Sequence, residues 1–322
     1  MFCNTFDKYS EYKAKIDLED KNNYLIVVIG PTAVGKTELC IRLANYLDTA
    51  IISADSRQFY KETNLGTAKP NAEEMTRAVH HLVDFKSIHE SYDVKDFEND
   101  VLNILNEIFK NKDVAILTGG SGLYVDAICN GLDDIPDISP EIRENIISEY
   151  GSKGLVYLQQ QVKMHDPEYF EIVDQKNPQR LMRALEICRG TGKTYTVFRK
   201  KKKVKRPFKI IKVGLERERD EIYQRIDLRM DQMIANGLFE EAANLFPYRH
   251  LNALQTVGYS EIFGFMENKY DKEEAIRLLK RNSRRYAKRQ LTWFRKDPEY
   301  TWFHPDDCQT IESFIKSRIN NS

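Results

Sequence analysis

The six residues Tyr24-Leu25-Ile26-Val27-Val28-Ile29 are all apolar and rich in β-branched side chains. So short a run, with no polar position on either face, predicts a strand covered on both sides of a sheet. The spacing then changes. Leu39, Leu43 and Leu47 recur at i, i+4 and i+8, the stripe of a helix packed on such a sheet. Ala50–Ala54 and Asp113–Thr118 predict two further strands, and Phe208–Leu215 a fourth. From 133 to 200 the chain reads as helical throughout. Ser139 can cap a helix that starts at Pro140 and ends at Gly151, a second helix is predicted near Leu155–Met164, and Asn177-Pro178 opens a third that reaches Arg189. The expected architecture is α/β: a parallel sheet flanked by helices, built from 24–132 and 205–303. It is interrupted by an all-helical insertion at 133–204 and preceded by an extension at 1–23.

The chain has 322 residues, which agrees with about two domains. Its 41% hydrophobic and 30% charged residues suffice for a core and exceed what a disordered chain carries. Lys+Arg and Asp+Glu are both 49, which excludes a uniformly basic coat but not a local basic face. Two basic segments stand out. One is Arg199–Arg206, with seven cations in eight positions. The other lies between Glu274 and Asp297 and holds no acid. There Arg277, Lys280, Arg281, Arg284, Arg285, Lys288 and Arg289 fall on one helical face, while Leu279, Tyr286 and Trp293 recur every seven residues on another. A one-sign stripe repels itself, so an anionic partner explains it better than a merely solvated face. The five cysteines are odd in number and scattered with no C-x-x-C pair, so neither a disulfide framework nor a zinc site is expected. With no apolar stretch of about eighteen residues, and acids mixed with bases in the first 23 positions, the expectation is a cytoplasmic protein with no membrane partner.

Between the first strand and its helix stands Gly30-Pro31-Thr32-Ala33-Val34-Gly35-Lys36-Thr37, which fits G-x-x-x-x-G-K-[ST] in full. The glycines let the backbone curl around phosphate, the amides and helix N-terminus supply partial positive charge, Lys36 adds a full one, and Thr37 offers a hydroxyl to Mg²⁺. The fold is therefore expected to be P-loop NTPase-like. The second strand ends at Asp55-Ser56-Arg57-Gln58, and the carboxyl end of a strand is where ligands sit in open α/β sheets. Asp55 thus stands in the place of a base or a metal-associated acid. The third strand runs into Gly119-Gly120-Ser121-Gly122 and has no acid at its end. The metal-holding carboxylate of hydrolytic P-loop proteins is missing there.

These segments, together with Ser53–Tyr60 (SADSRQFY), Gly66–Pro70 (GTAKP), His80–Asp84 (HHLVD), Leu117–Tyr124 (LTGGSGLY), Asn177–Lys193 (NPQRLMRALEICRGTGK), Leu254–Phe265 (LQTVGYSEIFGF) and Arg285–Arg295 (RYAKRQLTWFR), resemble the tRNA dimethylallyltransferases, also called tRNA isopentenyltransferases. The resemblance runs in order from about residue 24 to 303. It implies transfer of a dimethylallyl group from dimethylallyl diphosphate to N6 of the adenosine 3′ of the anticodon, in tRNAs reading codons that begin with U. The P-loop would then hold the donor's diphosphate rather than ATP. Asp55 would accept from N6 as general base or orienting acceptor, assisted by Ser121, which stands where the family more often has Thr. Lys36, the loop amides and Mg²⁺ would stabilise the leaving diphosphate, with an arginine beside them: Arg225 in preference to Arg229. Contacts to the tRNA anticodon stem-loop are implied at Asp55, Ser56, Arg57, Gln58, Ser121, Arg143, Asn177, Pro178, Gln179, Arg180 and Leu181. The basic stripe adds Arg281, Arg285, Lys288 and Arg289. Phe59, Tyr60 and Tyr286 are possible stacking surfaces, although an aromatic is more often core. A monomer is expected. A P-loop small-molecule kinase, or an RNA-binding module switched by nucleotide, would also account for the loop; the kinase leaves the basic stripe unexplained.

Overall fold

The computed structural model describes residues 22–200 and 203–321. Most of the N-terminal extension, and Lys201-Lys202 of the first basic run, lie outside the described residues. The chain divides into two compact units, Met1–Cys129 with Arg206–Ser322 and, inserted between them, Asn130–Lys205.

The first unit is a six-stranded sheet in the order β3-β2-β4-β1-β5-β6, every pairing parallel. The strands are β1 (Tyr24–Ile29), β2 (Ile51–Ser53), β3 (His80–His81), β4 (Val114–Gly119), β5 (Lys209–Leu215) and β6 (Thr301–Phe303). All six residues of β1 are buried because it is central, paired with β4 on one side and β5 on the other. Its alternate side chains feed two cores, as the period of a strand requires. Leu25, Val27 and Ile29 face a cluster with Phe59, Phe97, Ile226 and Phe294. Tyr24, Ile26 and Val28 face another with Leu39, Ile41, Leu43, Ile311 and Ile315.

Helices α1 (Lys36–Tyr46), α2 (Ala72–Arg77), α3 (Val94–Ile108) and α4 (Gly122–Asn130) follow in the first stretch. The inserted unit holds α5 (Pro140–His165), α6 (Pro167–Ile172), α7 (Pro178–Thr191) and α8 (Tyr195–Phe198). The return stretch adds α9 (Arg219–Ala235), α10 (Leu238–Leu245), α11 (Tyr259–Met266), α12 (Lys272–Phe294) and α13 (Cys308–Asn320). The helical unit has its own core of Ile146, Leu158, Val162, Tyr169, Leu181, Met182 and Leu185. Its buried Asp166 is satisfied by Tyr169 N at 3.0 Å and Thr196 N at 2.8 Å.

The structure departs from expectation at several points. β3 and β6 are too short for a period to register. The break in the first inserted helix falls at Gly154 (φ 74°, ψ −172°), not at Gly151. The core does not stop at 303, since α13 closes one face of the sheet through Ile311 and Ile315. Phe59 and Tyr60 are buried, not stacking surfaces. Phe59 lies among Phe85, Tyr92, Phe97 and Tyr124, at ring distances of 5.7, 5.3, 5.6 and 5.7 Å. Among the described residues no helix is long and apolar enough to cross a membrane.

Because Phe59 anchors the segment just after Asp55, Phe59→Ala is expected to cost about 3–5 kcal/mol of stability, measured as a lower denaturant midpoint in equilibrium unfolding.

Candidate active site

The loop leaving β1 turns on two glycines in conformations that side chains avoid: Gly30 at φ 157° and Gly35 at φ 112°. A Cβ on Gly30 would lie 2.7 Å from Leu215 O. Gly35 is the N-cap of α1 and supplies no side-chain cap, so the helix presents unpaired amides toward the loop. Lys36 Nζ donates to Gly30 O (3.0 Å) and Pro31 O (2.9 Å). An ammonium has three N–H groups, so two brace the loop and the third is left for an anion. Burial lowers the Lys36 pKa to about 8; the neighbouring Asp55 carboxylate opposes that shift, and the Arg229 guanidinium adds to it.

Asp55 follows β2, and its Oδ1 accepts from Arg57 N at 3.1 Å. Burial raises its pKa above the usual carboxylate range, while that hydrogen bond and the charges of Lys36, Arg57 and Arg229 pull the other way. The turn is braced from beneath. Ser121 Oγ accepts from Ser56 N (3.0 Å) and donates to Ser56 Oγ (3.1 Å). Arg57 donates to Asn252 O at 2.8 Å and Gln58 to Ala68 O at 3.0 Å. These two side chains, expected at the RNA, are thus already engaged within the unit. The facing segment is held by Glu241, which accepts from Asn64 N, Leu65 N and Gly66 N at 3.1, 2.9 and 3.0 Å and from Tyr259 Oη at 2.6 Å.

Both candidate arginines of α9 reach the loop. Arg225 Nε donates to Ala33 O at 2.8 Å. Arg229 donates to the Thr32 hydroxyl, and its buried Nε has no hydrogen-bond partner. Arg225 is exposed; Arg229 is the deeper of the two, and the Asp55 charge acts on it directly. Arg225, the residue expected there, and Arg229 both line the cleft at the loop. Arg217, not foreseen, donates to Val34 O at 2.9 Å. Gln290 was also missed: it accepts from Thr32 N at 2.8 Å and donates to Gly120 O at 3.0 Å. The available signal was an amide on the apolar face of α12, one turn past Tyr286.

A cleft of about 470 Å³ is lined by Lys36, Thr37, Asp55, Arg225 and Arg229. A narrow pocket of about 70 Å³ adjoins it, walled by Met230, Met233, Leu238, Val257 and Tyr286. Thr32, Asp55 and Arg229 line both. They stand where a cationic cleft meets an apolar pocket. A hollow of about 640 Å³ among Arg217, Tyr223, Lys288 and Trp302 contains neither Lys36 nor Asp55.

The basic stripe of α12 is partly neutralised. Arg277 pairs with Glu274, Lys280 with Asp231 and Arg284 with Asp227. Arg281, Arg285, Lys288 and Arg289 have no ion pair among the described residues. In the helical unit, Asn177 caps α7, its Oδ1 accepting from Arg180 N at 3.2 Å, with Pro178 in the first turn. Gln179 and Arg180 are exposed, and Arg143 pairs with Glu186 at 2.7 Å. Leu181 is wholly buried. It belongs to that unit's core, so the expectation that its side chain touches RNA is withdrawn.

A family model described as IPP transferase matches residues 58–297. The chain belongs to the IPP transferase family. The tRNA dimethylallyltransferase of Christiangramia forsetii is 51% identical over 300 residues, 93% of this chain and 99% of the relative. That of Cytophaga hutchinsonii is 51% identical over 298 residues, 92% and 98% of the two chains. Among solved structures, the full-length tRNA isopentenylpyrophosphate transferase of Bacillus halodurans matches with a TM-score of 0.70 at 36% identity, covering 94% of this chain and 98% of its own. A eukaryotic dimethylallyltransferase acting on tRNA matches with a TM-score of 0.70 at 26% identity, over 84% of this chain and 69% of its own. As a member of the IPP transferase family the chain is a transferase, and the P-loop NTPase-like fold agrees with these neighbours.

Lys36 is half-neutralised near pH 8, and a bound anion raises its pKa again, so anion binding takes up protons. Calorimetric titration with inorganic diphosphate at pH 8.5, in two buffers of different ionisation enthalpy, is expected to show greater proton uptake for wild type than for Lys36→Met.

Proposed function

We propose that this IPP transferase family member moves a dimethylallyl group from dimethylallyl diphosphate to N6 of the adenosine 3′ of the anticodon in tRNAs reading codons that begin with U. The observation that carries the reading is the position of Asp55, a half-buried carboxylate at the meeting of a cationic cleft and a small apolar pocket. In this reading the cleft takes the diphosphate and the apolar pocket the five-carbon tail.

The N6 lone pair is delocalised into the adenine ring, which makes it a weak nucleophile. It attacks the allylic carbon as the bond from that carbon to diphosphate oxygen breaks. Diphosphate leaves with the bonding electrons, and the N6 proton passes to Asp55. Lys36, Arg229, Arg225 and the first-turn amides of α1 surround the oxygen on which charge develops, so they stabilise the departing group more than the intact donor. Ser121 holds the Asp55 turn through Ser56 and assists by position. Among the described residues no cluster of three or more His, Cys, Asp and Glu side chains could hold a metal. A Mg²⁺ ion would be held here by the Thr37 hydroxyl and the diphosphate itself, the arrangement this ion favours. When bound, it would neutralise part of the diphosphate charge. Arg281, Arg285, Lys288 and Arg289 would meet the RNA backbone, and the target base must leave its stack to reach a carboxylate within the cleft.

The deciding experiment is mass spectrometry of nucleosides after incubation with an anticodon stem-loop and dimethylallyl diphosphate. N6-(dimethylallyl)adenosine is expected; consumption of ATP with the isoprenoid untouched would refute the reading. Asp55→Ala should leave RNA affinity largely intact while lowering kcat by about 10²–10⁴-fold, seen in single-turnover assays. Removing Arg285, Lys288 and Arg289 together should weaken RNA binding and flatten its salt dependence by about three counterions, followed in a filter-binding titration across ionic strength.

A further inference from the structure

Gln290 is buried on α12, directly after Arg289, and its amide spans two parts of the site that lie far apart in sequence. Its Oε1 accepts from Thr32 N of the P-loop at 2.8 Å, and its Nε2 donates to Gly120 O, beyond β4, at 3.0 Å. The Gly120 turn carries Ser121, which holds the Asp55 turn through Ser56. The contact requires glycine at 120, where a Cβ would come within 2.1 Å of Gln290 Nε2 and 4.0 Å of Asp55 Oδ2. The other side of Thr32 is taken by Arg229, through the hydroxyl.

We infer that Gln290 is a positioning residue that sets the separation between the diphosphate-holding loop and the turn holding Asp55. The claim rests on the transfer reaction proposed above. Only an amide of this length accepts on one end and donates on the other. A carboxylate keeps the bond to Thr32 N but loses the one to Gly120 O unless it is protonated. A thioether keeps the shape and loses both. Errors of about 1 Å in the placement of reacting groups cost about 10²-fold in rate, so the effect falls on kcat rather than on RNA binding.

The test uses the full chain as wild type, Gln290→Glu and Gln290→Met. Each is titrated with inorganic diphosphate and assayed for transfer to an anticodon stem-loop between pH 6 and 9. Q290M is expected to bind diphosphate more weakly and to lose about 10- to 100-fold in kcat with the RNA KM unchanged. For Q290E, kcat relative to wild type at the same pH should rise as pH falls, because the protonated carboxyl regains a donor for Gly120 O. Either a pH-flat ratio for Q290E or wild-type diphosphate affinity in Q290M overturns the proposal. If Q290M does not fold, the Q290E ratio decides alone. Should wild type bind diphosphate but transfer no prenyl group, the functional reading falls, and the diphosphate affinities still decide on Gln290.

Discussion

The site depends on charges buried together. Lys36, Arg229 and Asp55 are each set where burial disfavours ionisation, and each bears on the others' charge. Alone in such a place, Lys36 or Asp55 would be driven toward its neutral form, whereas the Arg229 guanidinium stays charged. Together they hold a cationic lining against a single carboxylate, and an arriving polyanion strengthens the cations it needs. Removing one partner of such a group costs more than the group contributes as a whole, because the survivors remain buried. The backbone follows from this requirement. Gly30 and Gly35 take up conformations other residues avoid, and Lys36 folds back to brace the carbonyls of its own loop.

Around that centre the supports come from widely separated parts of the chain. Ser121 steadies Ser56, Glu241 gathers the three successive amides of Asn64, Leu65 and Gly66, and Gln290 spans Thr32 and Gly120. None of these groups is near its partner in sequence. Reacting groups held by packed helices and strands are placed more accurately than groups on free loops, and here each loop of the cleft is tied to at least one helix.

What could be read beforehand follows the same division. β1 announced itself because six consecutive apolar residues have no other home than the middle of a sheet. The P-loop did so because its chemistry is local: glycines, a lysine and a hydroxyl within eight positions. β3 and β6 escaped notice because two or three residues carry no period. The break at Gly154 rather than Gly151 depends on one φ angle that either glycine could adopt. Arg229 and Arg225 are equivalent on a helical wheel, and only the tertiary path of α9 makes one the deeper. The basic stripe was legible, but its partial neutralisation was not: Asp227 and Asp231 lie on another helix, about fifty residues away. Glu241 and Gln290 act through backbone atoms of distant turns, and a sequence holds no trace of which amide will face which carbonyl.

The root of the inserted helical unit has a consequence for how such proteins vary. Val204 N donates to Asn130 O at 2.8 Å, so the unit's two ends are clasped by a backbone bond. Just outside them, Arg206 is bonded to Ile128 O at 2.8 Å. To the sheet, everything from Asn130 to Lys205 is one long excursion that departs and returns at a single place. Lengthening such an excursion adds little closure entropy. Helices there can be gained, lost or exchanged over evolutionary time while β1, β4 and β5 keep their register.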